Sequence, residues 1–329
     1  MNKYSINLAE SSEVYFQGVL YSLDNGKNPE TYAQIPAVVA RGDVYHVAFA
    51  DRLDGKSYIK NTTICPETLK TLSVSEIFYK PKRVGFFDTD GAMPSQFIRI
   101  GDKVYLTYNG WNQLSGRPPY LNSSGLIEVD FEDGRLVFLQ ALPGPFLSRN
   151  IDNNSSTVTP WLVCEDECLE FYYIGTDSWE EVDGYFEPRY YVKKAIGQNI
   201  RSLKTVDHQV IKPLHSDEVF SRPSIIKIND TQVMAFCSRL ISDFRDGANS
   251  YVISFAIKRY GASEDWQRTD VFLKPNESWT SKQTCYPFLL NECGRISIFY
   301  NGNGFGKSGF GLTRLDADDF LKILESNLI

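Results

Sequence analysis

Residues 88–111, DTDGAMPSQFIRIGDKVYLTYNGW, contain the pattern that decides the fold of this chain. Two acids, Asp88 and Asp90, precede a strand-like segment, and a Gly101-Asp102 turn leads into a second one that ends at Trp111. Two apolar segments separated by a short Gly-containing turn are typical of a β-hairpin. The stretch is therefore predicted to be a hairpin with acids at its entry and an indole at its exit.

The same layout occurs four more times along the chain. Each copy has a proline, an apolar strand, a polar turn and a second strand that ends in an aromatic residue. The copies lie at residues 36–51, 160–175, 223–239 and 287–302, and their prolines, counting that of residues 88–111, are Pro36, Pro94, Pro160, Pro223 and Pro287, in steps of 58, 66, 63 and 64. A repeat of this length sets the architecture. We expect each proline at the first residue of a strand, where no ladder donor is needed.

The repeat predicts an all-β chain, specifically one five-bladed β-propeller domain that spans residues 1–329. The blades of four antiparallel strands are predicted at residues 32–80, 88–143, 151–212, 218–274 and 281–315. The last blade lacks a fourth strand, because residues 316–329 resemble a short amphipathic helix. Residues 13–20, EVYFQGVL, are expected to supply that strand and close the ring, which leaves no open sheet edge. A β-sandwich is the alternative, although its turn signals come at shorter and less regular spacing.

Composition excludes several classes of partner. The net charge is −7 and no basic stripe is visible, which disfavours nucleic acid. No apolar run approaches the 18 residues of a membrane span, and the N-terminus has no apolar signal region, so a cytoplasmic protein is expected. The six cysteines are interpreted as reduced thiols. Cys164 and Cys168 lack a second pair or a nearby histidine, and neither a metal nor a cofactor is predicted.

In a propeller, the starts of the inner strands and the loops after the second strands meet at one mouth. Carboxylates that face each other there can act as acid and base on a glycosidic bond, tryptophans can stack on sugars, and arginines can hold an anionic group. The predicted catalytic residues are Asp88, Asp90 and Glu218. The predicted ligand-binding residues are Asp51, Asn109, Trp111, Trp179, Arg222, Arg239, Asn301 and Asn303.

Most of these residues also have a structural interpretation. Asp88 or Asp90 could bond to the backbone of its own turn, Glu218 could pair with Arg222, and Asp51 could pair with its neighbour or with solvent. The tryptophans could pack between blades. Residues 301–308, NGNGFGKS, are near a phosphate-binding loop, but they lead into a strand and not a helix, so nucleotide binding is disfavoured.

The motifs FDTDGAMPSQFI with VYLTYNGW, EVFSRPSII with CSR, and ISIFYNGNGFGKSGFGL resemble the five-bladed propeller glycoside hydrolases and phosphorylases of families 43, 32 and 130. Within that superfamily the chain is similar to an uncharacterised family-43-like branch associated with bacterial sugar and polysaccharide gene clusters. The resemblance covers roughly residues 30–315. It implies that Asp88 or Asp90 fills a second-blade carboxylate role and that Glu218 is the proton donor. The chain departs from the family pattern because Ile35 precedes the first proline and no acid precedes Pro160.

We therefore expect a carbohydrate-active enzyme that acts on a glycoside or activated sugar by carboxylate acid/base chemistry in the central funnel. The expected ligand is a carbohydrate or a sugar phosphate. Polysaccharide or glycan metabolism is the expected setting. The departures from the family pattern leave two alternatives open. One is a carbohydrate-binding propeller without catalysis, and the other is a glycoside phosphorylase or sugar transferase.

Overall fold

The computed structural model describes residues 6–10, 15–21, 32–73, 76–81, 84–164, 168–245, 247–260, 265–275 and 277–329, with backbone alone for residues 15–20 and 164. The all-β class is confirmed. The strands are β1 (Ile6–Asn7), β2 (Tyr15–Tyr21), β3 (Gln34–Arg41), β4 (Val44–Leu53), β5 (Lys56–Ile64), β6 (Glu76–Tyr79), β7 (Gly91–Ile100), β8 (Lys103–Gln113), β9 (Tyr120–Glu132), β10 (Arg135–Ala141), β11 (Thr157–Cys164), β12 (Leu169–Val182), β13 (Tyr185–Gly197), β14 (Lys204–Asp207), β15 (Glu218–Ile228), β16 (Thr231–Leu240), β17 (Val252–Arg259), β18 (Gln267–Leu273), β19 (Cys285–Glu292), β20 (Arg295–Asn301) and β21 (Phe310–Asp316). The helices are α1 (Asn303–Gly306) and α2 (Ala317–Glu325).

The strands pair as antiparallel meanders, which we call units. Unit 1 is β3–β6, unit 2 is β7–β10, unit 3 is β11–β14, unit 4 is β15–β18, and unit 5 is β19–β21 with β2 paired antiparallel to β21. A parallel pair between Ser57 and Gly91 joins units 1 and 2 into one sheet, and β1 adds in parallel to β18. The first strand of each unit contacts the next in cyclic order, β3–β7–β11–β15–β19–β3. The inner strands therefore lie around a common axis.

The repeated prolines lie inside the inner strands and not at their first residues, so this prediction was wrong. In every unit the pairing of the inner strand with its neighbour shifts register at the proline, between Gln34 and Ala37 in unit 1 and between Cys285 and Phe288 in unit 5, for example. The residue before the proline has a positive φ in four units: 55° at Ile35, 50° at Thr159, 42° at Arg222 and 57° at Tyr286. A β-bulge leaves one residue unpaired, so it accepts a proline without losing a ladder hydrogen bond.

The backbone N–H at this kink is bonded by the unit before it. Asn301 Oδ1 of unit 5 accepts from Ile35 N at 2.8 Å, and Asn109 Oδ1 of unit 2 accepts from Thr159 N at 2.6 Å. Cys237 Sγ of unit 4 accepts from Tyr286 N at 3.0 Å. Buried N–H groups need a partner, and a kinked residue cannot find one in its own ladder. The kinks therefore couple neighbouring units.

The sequence predicts a polar loop at residues 112–123, rich in Gly, Pro, Ser and Asn, and another loop at residues 176–188, but both segments continue as strands. Residues 112–123 contain the end of β8 and the start of β9, and residues 176–188 contain the end of β12 and the start of β13 around a turn at Asp183-Gly184. Residues in the second segment pair across this hairpin, as Trp179 does with Pro188. Cross-strand pairing satisfies the backbone, so polar side chains did not exclude a strand here.

The two ends of the chain cover the outside of units 4 and 5. The predicted strand at residues 13–20 corresponds to β2, although Glu13 and Val14 lie outside the described residues. The predicted C-terminal helix is α2: Asp316 accepts from the N–H groups of Asp318 and Asp319 at its start, and Phe320 packs edge-on against Phe255 with ring centroids 5.3 Å apart. No helix within the described ranges is long and apolar enough to cross a membrane.

We predict that Asn301→Ala destabilises the fold strongly. Besides the bond from Ile35 N, Asn301 Nδ2 donates to Ala33 O and Gly309 O, both at 2.7 Å, and the side chain is fully buried. Each buried group left without a partner costs about 1–3 kcal/mol, so we expect a loss of more than about 3 kcal/mol in urea unfolding. The matched control is Asn291→Ala at the exposed end of β19, which should change the unfolding free energy by less than about 0.5 kcal/mol. Equal effects for both variants would contradict the coupling role.

Candidate functional site

Four tyrosines and an arginine from units 2–5 gather at the end of the axis where inner strands begin. We call Tyr120, Tyr190, Arg239, Tyr251 and Tyr286 the mouth cluster. The Tyr120 and Tyr190 hydroxyls are 3.2 Å apart, and the rings of Tyr251 and Tyr286 have centroids 6.4 Å apart. The Arg239 guanidinium lies 5.3 Å from the Tyr251 ring centroid and acts electrostatically on Tyr120 and Tyr190. Side chains that are far apart in the sequence thus converge on one surface.

Arg239 is the buried cation of the mouth cluster. Its guanidinium carbon lies 3.6 Å from the centroid of the Phe244 ring, and Nη1 donates to Leu240 O at 3.0 Å. The side chain is 4% exposed, and its buried Nε has no hydrogen-bond partner. In the part of the chain that the structure describes, no carboxylate forms an ion pair with it. The aromatic faces stabilise this cation but leave an N–H donor available.

The tyrosine hydroxyls of the mouth cluster stay protonated at neutral pH. Burial raises the pKa of Tyr120 to about 12 and that of Tyr190 well above its ordinary value. Burial also raises the pKa of Tyr251 and Tyr286, while Arg239 opposes the shift at Tyr251. A protonated phenol both donates and accepts hydrogen bonds. Tyr120, Tyr190 and Tyr286 are only half-buried, so their hydroxyls can form hydrogen bonds with a ligand.

Glu187 supplies a carboxylate beside the mouth cluster. It is 4% exposed, acts electrostatically on Tyr120, and pairs through Oε1 with Arg245 Nη2 at 2.5 Å. Arg245 itself is largely exposed and lies over the Phe244 ring at 4.9 Å. The pair belongs to units 3 and 4, so it bridges two walls of the mouth.

Arg222 lies beneath the mouth and has no exposed surface. Its Nη2 donates to Pro36 O at 2.7 Å and to Ser95 O at 3.0 Å, which joins unit 4 to units 1 and 2. Nε and Nη1 have no hydrogen-bond partner, and burial lowers the pKa of Arg222 to about 9. This geometry gives Arg222 an axial bridging position, and its role in ligand binding stays a prediction.

Glu218 is held by Arg268 and not by Arg222, so the pairing that the sequence suggested was wrong. Arg268 Nη1 lies 2.7 Å from Oε2 and Nη2 lies 2.9 Å from Oε1, with further bonds from Ser238 Oγ and Leu214 N. Burial alone would raise the pKa of Glu218, but the pairing with Arg268 holds it below its ordinary value. A proton donor needs a raised pKa, so this environment favours a structural ion pair.

The two predicted catalytic aspartates lie at the border of units 1 and 2. Asp88 is fully buried, and its Oδ2 accepts from Tyr79 Oη at 2.6 Å and Tyr108 Oη at 3.0 Å. Asp90 Oδ2 accepts from the backbone N–H of Gln113 at 2.8 Å. Since Tyr79 lies on the outer strand β6, Asp88 is directed between two units. The structure therefore shows no contact that joins these acids to Glu218.

The other predicted polar residues bond to backbone or to a nearby charge. Asp51 pairs with Lys60 at 2.8 Å and accepts from the N–H groups of Tyr32 and Arg52. Asn303 Oδ1 accepts from Lys282 N and Gln283 N, which ties α1 to the segment before β19. Asn109 and Asn301 bond to the kinks of the inner strands, as described above.

The two predicted tryptophans differ in position. Trp111 Nε1 donates to Ser57 Oγ at 3.3 Å across units 1 and 2. A side chain at Gly91 would place its Cβ 1.9 Å from this nitrogen, so the indole needs a glycine opposite it. Trp179 Nε1 donates to Ser155 Oγ at 2.8 Å, and its ring meets Tyr120 edge-on at 5.0 Å. Only Trp179 of this pair therefore contacts the mouth cluster.

Sequence reasoning missed the four tyrosines and Glu187. One signal was available: Tyr286 precedes Pro287, the same repeat position that Arg222 occupies before Pro223. Tyr120 and Glu187 fell in segments predicted to be loops. The search for acids, amides and arginines passed over phenol hydroxyls, and so it found Arg239 and Trp179 without their neighbours.

Comparison with known proteins gives relatives for almost the whole chain. No family model matches. An uncharacterised protein of Mycobacterium tuberculosis is 25% identical over 284 residues, which cover 84% of this chain and 89% of that protein. At this level of identity the relative shows common ancestry over most of the chain but carries no function with it.

Solved structures resemble the chain in fold. A glycoside hydrolase superposes with a TM-score of 0.66 at 13% identity and covers 92% of this chain and 91% of its own. The β-1,2-mannobiose phosphorylase from Listeria innocua, in complex with β-1,2-mannobiose, gives a TM-score of 0.65 at 12% identity, covering 95% of this chain and 99% of its own. A thermostable family-43 glycoside hydrolase gives 0.57 at 13% identity, covering 89% and 91%.

These matches extend from end to end of the meander repeat and confirm the resemblance read from the sequence motifs. The chain is therefore similar in fold to the β-propeller glycoside hydrolases and phosphorylases of known structure.

Proposed function

We propose that the five units are the five blades of a closed propeller in a single domain. The cyclic order of contacts among the inner strands supports this number of blades. The pairing of β2 with β21 supports closure by the N-terminal segment, because it gives unit 5 its fourth strand. Such closure would leave the ring without an open junction.

We propose that the protein is a carbohydrate-active enzyme of polysaccharide or glycan metabolism, and that its saccharide binds at the mouth cluster. The observation that carries the proposal is the Nε of Arg239, a buried donor without a partner among protonated phenols. Sugar sites combine aromatic faces with a few fixed polar groups. Trp179, half-buried beside Tyr120, supplies such a face.

In this proposal Glu187 is the acid/base candidate, beside the predictions for Asp88, Asp90 and Glu218. Its carboxylate acts electrostatically on Tyr120, and its partner Arg245 is exposed to solvent. Glycoside hydrolysis normally uses two carboxylates on either side of the bond. Glu187 is a single carboxylate beside the mouth cluster, which favours either binding without catalysis or transfer to an acceptor. Both remain alternatives to hydrolysis in this proposal.

We predict that Glu187→Gln abolishes turnover and leaves the fold intact. The substitution removes a proton-transferring group but keeps its shape, so a loss of about 100-fold or more is expected in assays on glycoside and sugar-phosphate panels. Glu181→Gln, at an exposed carboxylate on the same β12–β13 hairpin, is the matched control and should keep full activity. The proposal is contradicted if Glu187→Gln keeps full activity while Asp88→Asn, Asp90→Asn or Glu218→Gln folds but loses activity. The acid/base role would then belong to the residues predicted from the sequence.

The same panels should be run with and without inorganic phosphate. Turnover that requires phosphate indicates a phosphorylase, and turnover in its absence indicates hydrolysis or another transfer. Saccharide binding in calorimetry without any turnover by the wild-type protein would instead establish the binding-only alternative.

We predict that Glu218 stabilises the fold at neutral pH and loses this effect in acid. Its folded-state pKa is lowered, so its contribution is present above the unfolded pKa and disappears as the pH falls through the folded value. Glu218→Ala should cost about 3–5 kcal/mol in urea unfolding at pH 7, because Arg268 remains buried and unpaired, and the cost should shrink near pH 3. Glu181→Ala, whose surface pair with Arg117 is 3.6 Å long, should change little at either pH. A cost for Glu218→Ala that does not vary with pH would rule out this linkage.

A further inference from the structure

The mouth carries an excess of positive charge although the chain as a whole is acidic. Arg239 has no carboxylate partner in the described ranges, and its Nε is buried and unbonded. Two more cations, from units 1 and 5, flank the Tyr32 ring: Arg52 lies 5.0 Å and Lys307 5.7 Å from its centroid. Arg52 also acts electrostatically on Tyr286 of the mouth cluster. The sign of the charge at the mouth is therefore opposite to the net charge of the chain, which is −7.

The acids near the mouth do not neutralise these cations. Glu187 is paired with Arg245 at 2.5 Å, and Asp51 is paired with Lys60 at 2.8 Å with its side chain fully buried. Glu187 and Asp51 therefore each have their own counter-charge. Arg239, Arg52 and Lys307 are left to act on whatever enters the mouth.

The remaining groups of the mouth cluster suit an anionic ligand. Phenols that stay protonated donate hydrogen bonds to oxyanions, and a guanidinium donates to carboxylate or phosphate with directional N–H groups. Arg239 is held by the Phe244 and Tyr251 rings and not by an acid, so binding an anion breaks no existing ion pair. A buried cation with a free donor gains most from such a partner.

We propose that the ligand of the mouth cluster is an anionic saccharide, a uronate or a phosphosugar, whose charged group is bound by Arg239. This inference rests on the proposed saccharide site and narrows its substrate class. Arg52 and Lys307 steer the anion to the mouth. Half-buried Trp179 and Tyr120 accept the uncharged part of the sugar.

Calorimetry with matched ligands tests the inference. The set is galactose, galacturonate and galactose 6-phosphate, with inorganic phosphate as a fourth arm, titrated into the full chain at low and high salt. We expect at least one of the two acidic sugars to bind 10-fold or more tightly than galactose, and the preference to weaken as salt rises, since exposed charges are screened. Comparing the uronate and phosphosugar arms identifies the anionic group, and phosphate alone should bind more weakly than the phosphosugar.

Variants locate the charge that is responsible. Arg239→Gln should remove the preference for the acidic sugar, and Arg239→Lys should retain part of it. Arg295→Gln is the matched control, because this exposed arginine lies at the opposite end of β20 from the mouth. The salt dependence of the wild-type protein tests the inference independently of how well the variants fold.

The outcomes separate the two levels of the proposal. Equal binding of galactose and both acidic sugars, weakened by Tyr190→Phe, would overturn the anionic class and leave the saccharide site standing. A preference for an acidic sugar that Arg239→Gln leaves unchanged would also overturn the inference. Absence of binding by every sugar would overturn the saccharide site together with it.

Discussion

The kink of the inner strands is the constraint on which the rest of this structure depends. At Ile35, Thr159 and Tyr286 the backbone takes a positive φ before a proline, and the N–H there cannot join its own ladder. The second strand of the preceding unit provides the acceptor in each case. A β-branched residue such as Ile35 adopts this conformation only when its surroundings compensate the strain, so each unit needs its neighbour to keep its own shape.

The same kink sets what reaches the axis. The residue before the proline is Ile35, Thr159, Arg222 or Tyr286 in the four units with positive φ. One of these, Arg222, spans the axis to two other units, and another, Tyr286, belongs to the mouth cluster. The same backbone kink thus joins neighbouring units and positions side chains at the candidate site.

The partners of the buried acids distinguish Glu187 from Glu218 and Asp88. Arg268 bonds both carboxylate oxygens of Glu218, whereas Tyr79 and Tyr108 both bond Oδ2 of Asp88 and leave its buried Oδ1 without a hydrogen-bond partner. Glu187 is as buried as Glu218, but its partner Arg245 is exposed to solvent. The exposure of the partner, and not the burial of the carboxylate, makes Glu187 the better candidate for chemistry.

The sequence by itself determined the all-β class, the repeat and the strand that pairs with the last unit, because alternating strands, turn residues and proline spacing are local signals. The repeat also predicted that Arg239 and Trp179 lie at the end of the strands where the mouth cluster is located. Only the tertiary structure decided which residues meet there. Tyr120, Tyr190 and Glu187 lie on hairpins whose projection over the axis depends on how neighbouring units pack. The partners of Glu218 and Asp88 include Arg268 on β18 and Tyr79 on β6, the outer strands of units 4 and 1. Local pattern determines the elements, whereas the pairing of side chains depends on contacts between non-adjacent strands or neighbouring units and leaves no periodic signal in the sequence.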